Sequence, residues 1–268
     1  MMRYAFIGAG RLGSAMIEAL IQKGACQPGE IGCISEPDDT ARQTAEKLGV
    51  HHVRSIRDLV SGADTIVLAV KPQQLNTLDP SIGESSRGKL VISVVAGTRL
   101  ARLETIFPQT RNIVRTMPNT PARIGAGMTA YCCQHPLQAD DLKKVSDLLS
   151  AMGKFIAVDE SQLDAVTAVS GSGPAYVFEF VAALRNAGVE AGLDPDTSYQ
   201  LALETVLGSA RLLARLKMDP EALRDEVTSP KGTTLAALQV MEKAGFRSLI
   251  RSAVLAARNR SVELSAEG

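Results

Sequence analysis

Residues 8–13 read Gly8-Ala9-Gly10-Arg11-Leu12-Gly13, directly after a short apolar run, Arg3–Ile7, and at the head of an amphipathic stretch, Leu12–Gly24. This G-x-G-x-x-G between a strand and a helix restricts the fold more than any other feature of the chain. Gly8 permits a tight turn, Gly10 lets a pyrophosphate approach bare backbone, and Gly13 allows close helix–strand contact. The helix start adds free N–H groups and partial positive charge, which favour phosphate. The expectation is a dinucleotide-binding βαβ unit. A glycine turn without a ligand is the plainer alternative.

The pattern that follows supports the first reading. Ile31–Ser35 reads as a strand. Asp39–Leu48 reads as a helix, with Asp38 or Asp39 as N-cap and Gly49 as its stop. Thr65–Val70 and Leu90–Val95 are apolar throughout, as strands covered by helices on both faces are. Asn112–Thr116, Gly127–Tyr131 and Phe155–Val158 read as further strands, with a helix at Ala139–Met152. This alternation predicts an α/β fold, a Rossmann-like doubly wound sheet over residues 1–159. From about residue 160 the β signal ends. Gln162–Val169, Ala175–Ala191, Pro195–Lys217, Pro220–Val227, Thr234–Ala244 and Phe246–Ser265 read as helices, giving an all-α part over residues 160–268. These helices are apolar around much of their circumference, as at Leu249, Ile250, Ala253, Val254, Leu255 and Ala256, so they need cover. Either a partner subunit supplies it or the helices bury one another.

Composition removes several function classes. Twenty-nine Lys and Arg balance twenty-nine Asp and Glu, which argues against a nucleic-acid binder. No run approaches the ~18 apolar residues that cross a bilayer. The N-terminus enters a strand without a signal-cleavage pattern, and four scattered cysteines make no disulfide framework, so a reduced cytoplasm is expected. Three histidines and no C-x-x-C leave no zinc motif, and no metal site is expected.

Other segments carry candidate chemistry. Glu36, after the second strand, sits where an acid binds the ribose 2′-hydroxyl of NAD; Ser35 beside it, helped by Arg42, suits a 2′-phosphate instead. Lys71 and Pro72 end a buried strand, at the edge where open α/β sheets bind ligands. In Met117-Pro118-Asn119-Thr120-Pro121, Asn119 either offers its amide to a nicotinamide or caps a turn. Ser170-Gly171-Ser172-Gly173-Pro174 lets another backbone or a flat ring come close. Thr228-Ser229-Pro230-Lys231-Gly232-Thr233-Thr234 offers hydroxyls and N–H groups at a helix start, a carboxylate site; taken alone, each loop is equally well a helix N-cap.

Taken in order, Phe6–Gly10, Ala69–Pro72, Met117–Pro121, Asp164–Tyr176 and Val227–Thr234 resemble the Δ1-pyrroline-5-carboxylate reductase family across nearly the whole chain. The resemblance implies NAD(P)H-dependent reduction of the imine 1-pyrroline-5-carboxylate to L-proline, the last step of proline biosynthesis. It implies a dimer interlocked through the C-terminal helices, commonly five dimers in a ring. It puts cofactor contacts at Ile7, Gly8, Ala9, Gly10, Arg11, Leu12, Val70, Lys71 and Pro72. It puts the substrate carboxylate at Thr233 and Thr234, and a substrate-side acid at Glu160. NADP(H) is the family's usual cofactor; Ser35-Glu36, where many members have a neutral second residue, keeps NAD(H) possible.

A protonated imine accepts hydride readily, and its proton can come from water. No histidine falls in any motif, so the expected catalysis is proximity and electrostatics, with Ser172 leaving space beside the ring and Thr234 and Glu160 on the substrate. A 3-hydroxyacid dehydrogenase would need a lysine just past the second glycine loop, where Pro174, Ala175, Tyr176 and Val177 stand. A non-catalytic nucleotide-binding regulatory protein is the remaining rival.

Overall fold

The computed structural model describes residues 2–35 and 38–267, which fall into two units. One holds the residues up to Ser172 and those from Ala257 onward; the other is Gly173–Ala256.

Among the described residues the first unit is built on eight strands: β1 (Met2–Ile7), β2 (Ile31–Ile34), β3 (His51–His52), β4 (Ala63–Leu68), β5 (Leu90–Ser93), β6 (Asn112–Met117), β7 (Gly127–Cys133) and β8 (Gly153–Ala157). Their order is β3-β2-β1-β4-β5-β6-β7-β8. The order reverses at β1, which creates a crevice at the carboxyl ends. Along β1, Tyr4 and Phe6 enter one core with Met16, Leu20 and Leu148. Ala5 and Ile7 enter another with Leu59, Ile66 and Phe107. Alternate residues of one strand therefore feed two cores, the signature of helices on both faces. The helices are α1 (Arg11–Gln22), α2 (Thr40–Leu48), α3 (Ile56–Ser61), α4 (Ser81–Ser85), α5 (Leu100–Ile106), α6 (Ala139–Met152) and α7 (Leu163–Val166).

Three differences from the sequence reading have physical causes. The sheet is not wholly parallel: β7 runs antiparallel to β6. Only a loop and the 3-10 turn Thr120–Ile124 join them, too short for a parallel crossover. Strands β4 and β5 stop at Leu68 and Ser93, because the chain beyond them turns out at the crevice. The short β3 and α3 escaped notice because two exposed histidines show no period, and one helical turn and a half shows little more.

At the opposite end of the sheet, Arg111 bridges two acids. It donates to Asp141 at 2.6 Å and to Asp64 at 3.0 Å, and Lys144 also pairs with Asp64. Burial alone would raise the Asp64 pKa, but the hydrogen bonds from Arg111 and Lys144 outweigh it and hold it down at about 2.

The second unit contains α8 (Gly173–Glu190), α9 (Pro195–Leu216), α10 (Pro220–Glu226), α11 (Thr233–Lys243) and the first part of α12 (Phe246–Glu267). Asp194 and Asp219 cap α9 and α10, each ahead of a proline in the first turn. Gly188 lets α8 meet α9: a Cβ there would lie 2.2 Å from Ser198 Oγ, which donates to Arg185 O at 2.6 Å. No residue of α8 or α11 is buried, and Phe178, Val240 and Leu249 are more than 60% exposed. Packing of α8 on α9 buries Ser198 and Ala202 but leaves those large apolar side chains uncovered within the chain. The end of α12 belongs to the first unit, where Ser261 and Ser265 donate to Asp164 Oδ1 at 2.7 and 3.3 Å. Packing thus groups residues 160–172 with the sheet, while the β signal ends at residue 159.

Candidate active site

The carboxyl ends of β1, β2, β3 and β4 open into a cleft of about 530 Å³, lined by Gly8, Gly10, Ser35, Arg54, Val70 and Lys71 among others. The three glycines of the turn serve different masters. Gly8 has φ +97°, and a Cβ there would lie 2.5 Å from Ala69 O. A Cβ on Gly13 would lie 2.3 Å from Gly8 O. Both are demanded by the protein's own backbone. Gly10 is not: it is extended, and a Cβ would meet no atom of the described residues within 4 Å beyond its own chain neighbours. The space over Gly10 fits a group from outside the chain. Gly10 caps α1 without a side-chain hydrogen bond, and no acid stands in the first turn, so the helix start keeps its N–H groups and positive field for an anion.

Ser35 reaches this turn directly, its Oγ accepting the Ala9 N–H at 2.7 Å. Glu36 lies outside the described residues. Arg42 does not serve the cleft; it is held by Asp39 at 3.0 Å and Glu46 at 3.4 Å. Ile7 and Val70 line the cleft, whereas Leu12 packs against the core and Arg11 is exposed. Lys71 N–H donates to Gln74 Oε1 at 3.0 Å, and Pro72 starts the 3-10 turn Pro72–Thr77 behind it. The Asn119 Oδ1 accepts the Met128 N–H at 2.9 Å and fixes the start of β7.

Beyond β8, Glu160 is already engaged. Its Oε1 accepts the Leu100 N–H at 2.7 Å, at the start of α5, and pairs with Arg115 at 2.8 Å. The Arg115 side chain is 7% exposed against 33% for Glu160. The carboxylate is thus the counter-charge of a buried guanidinium. Further on, Thr167–Gly171 forms a π turn, with Ser172 N–H donating to Thr167 O at 2.8 Å. Such turns recur at functional sites. A Cβ on Gly171 would lie 2.6 Å from Met117 Cε, so the Ser172 loop and the Met117–Pro121 loop are neighbours.

In the second unit, Gly232 N–H closes on Ser229 O at 3.1 Å, with Pro230 and Lys231 between and Lys231 at φ +61°. That turn delivers Thr233 and Thr234 as the first residues of α11, whose N-cap, Gly232, spends no side chain on the free N–H groups.

A family model described as "Pyrroline-5-carboxylate reductase dimerisation" matches residues 160–264, and one described as "NADP oxidoreductase coenzyme F420-dependent" matches residues 3–97. The chain is 43% identical over 261 residues to the pyrroline-5-carboxylate reductase of Synechocystis sp., covering 96% of each chain. The chain belongs to the pyrroline-5-carboxylate reductase family. Two solved members resemble it over 98% of each chain: that of Coxiella burnetii at 35% identity and TM-score 0.91, and that of Plasmodium falciparum, with NADP bound, at 30% and 0.87. Within this reductase family the exposed apolar helices find their reason: they lie in the stretch matched by the dimerisation model, and the chain self-associates. Sequence reasoning missed two residues. Arg54 sits in an unremarkable loop, and only the β2–β3 pairing could have drawn it to the cleft. Arg115 sits inside a strand, where its charge was the one available sign of a buried pair.

Proposed function

We propose that this protein reduces 1-pyrroline-5-carboxylate to L-proline with NADPH as hydride donor. The observation that carries the reading is the space over Gly10 at the head of α1, in a chain related over its length to pyrroline-5-carboxylate reductases. When bound, the reduced nicotinamide supplies the hydride. The chain's residues bind and orient. Backbone from Ile7 to Leu12 would hold the pyrophosphate, with Ser35 toward the adenosine and Val70, Lys71 and Pro72 toward the nicotinamide ribose. Asn119 keeps the adjoining loop in shape. The N–H groups of Thr233 and Thr234, with the Thr234 hydroxyl, would hold the substrate carboxylate, as helix starts hold anions. Ser172 leaves room beside a flat ring. Glu160 acts through Arg115 and α5 rather than as a free acid. Hydride adds to the imine carbon and the C=N π electrons move to the protonated nitrogen, so the product is the neutral ring amine. No strong acid is required of the protein, and orientation can supply up to ~7–11 kcal/mol.

The quaternary expectation is a dimer, with dimers assembled into a decamer. Cytoplasmic residence is supported by four free cysteines, and among the described residues no helix is long and apolar enough to cross a membrane. The deciding assay mixes purified protein with NADPH or NADH and 1-pyrroline-5-carboxylate and follows the near-ultraviolet band of reduced nicotinamide. Loss of the band only when the imine is present supports the reading. Tight dinucleotide binding without turnover would point to the regulatory alternative.

A further inference from the structure

We propose that Arg54, with Ser35 at its side, recognises the 2′-phosphate of the dinucleotide and sets the preference of this chain for NADPH over NADH; the inference rests on the dinucleotide reading above. Strands β2 and β3 run parallel, pairing Gly32 with His51 and Cys33 with His52. Val53 N–H continues the ladder to Cys33 O at 3.1 Å. Continued residue by residue, that register brings Ser35 and Arg54 off the sheet as neighbours on strands about 4.8 Å apart. Both line the cleft that holds Gly8 and Gly10.

The charges on this side of the cleft leave Arg54 as the group for a phosphate. Among the described residues only Arg54 and Lys71 bring cations to the cleft lining, and Lys71 follows β4, on the far side of β1 from β2. Arg54 is exposed and has no ion pair among the described residues, whereas Arg42 is spent on Asp39 and Glu46. Ser35 Oγ uses an acceptor site on the Ala9 N–H, and among the described residues its own O–H has no acceptor, so it can donate to an anion. Asp38 also lines the cleft, and it turns Oδ1 onto Thr40, taking its N–H at 3.1 Å and its hydroxyl at 2.5 Å. An acid there favours the unphosphorylated ribose. Arg54 reverses that balance, because a guanidinium meets a phosphate with two parallel charged hydrogen bonds.

Calorimetric titration of the full-length protein with NADP⁺ and, separately, NAD⁺ tests this without turnover. Arg54→Gln is expected to weaken NADP⁺ by about tenfold or more and to leave NAD⁺ within about twofold, the scale of one lost charged contact. Arg54→Lys should recover part of the loss, and the salt dependence of NADP⁺ affinity should flatten in Arg54→Gln. Retained NAD⁺ binding shows that the variant is folded. Equal weakening of both dinucleotides, or unchanged NADP⁺ affinity, would overturn the assignment of Arg54. Failure of the unmodified protein to bind either dinucleotide would overturn the underlying cofactor reading instead.

Discussion

Adding one methyl group at a time to the glycine turn separates what the fold demands from what the ligand demands. In Gly10→Ala the new Cβ meets no atom of the described residues within 4 Å beyond its own chain neighbours, and the backbone there, φ −66° and ψ −166°, suits any residue. Loss of chain entropy in the unfolded state stabilises such a change by about 0.4–1 kcal/mol. Alanine is the poorer N-cap, which offsets that gain. Net stability should stay within about 1 kcal/mol of zero, or about 2–4 °C in Tm for a chain of this class. The methyl does occupy the space assigned to the pyrophosphate. Overpacking of ~1–3 kcal/mol is then expected, roughly a 5–150-fold rise in dinucleotide Kd. In Gly8→Ala the result should differ in kind. The residue would sit at φ +97° with its Cβ 2.5 Å from Ala69 O, a backbone atom that cannot swing aside. Conformational strain alone costs roughly 1–2 kcal/mol, and the contact adds to it. Stability and binding should both fall, with Tm down by about 6 °C or more. The pair is measured by thermal unfolding and by equilibrium titration with dinucleotide. Wild-type affinity in Gly10→Ala, or a loss of Tm there as large as in Gly8→Ala, would refute the reasoning.

Three further outcomes are expected. Asp64, held at about 2 against about 3.9 unfolded, contributes stability that is complete above that unfolded value and is lost as pH falls from about 4 toward 2. Asp64→Asn should remove about 1 kcal/mol at neutral pH, after allowance for solvent screening, and flatten the acid limb of a stability–pH curve; an unaltered limb would deny the group that role. Glu160→Gln should leave Arg115 without its counter-charge and cost about 1–3 kcal/mol in denaturant unfolding, with KM for the imine little changed; a large kinetic effect at unchanged stability would make Glu160 a substrate contact. Thr234→Ala should raise KM for the imine and leave dinucleotide Kd alone, and an unmoved KM would take Thr234 out of the carboxylate site.

The sheet was legible because its signals are local. The glycine turn after β1 and the apolar runs Ile66–Leu68 in β4 and Leu90–Ile92 in β5 state their surroundings within a few residues. What stayed hidden depends on partners far along the chain. Glu160 reads as a substrate-side acid from its place in the chain, and its guanidinium partner, Arg115, lies far back in β6. The partner of the Asn119 Oδ1, Met128 N–H, belongs to the next strand. Arg42 looked available on helical spacing alone, until Asp39 and Glu46 claimed it from its own helix face and the turn before it. In each case the hydrogen-bond partner, distant or out of view in the local pattern, is what the residue type alone could not supply.

The helical half was opaque for a different reason. Burial is usually inferred from an apolar face that a chain folds against itself, and here the faces have no such counterpart within the unit. Side chains as large as Phe178, Phe180 and Leu249 stand in solvent on helices whose ends are well made, with Asp194 and Asp219 capping α9 and α10. Good caps and good helix formers fix where each helix starts and stops, but burial of an apolar face is what makes most helices stable. If association supplies that burial, the stability of this half should depend on protomer concentration, which unfolding at several dilutions would read. The apolar residues that make these helices look overly hydrophobic in one chain lie in the stretch that the dimerisation model matches.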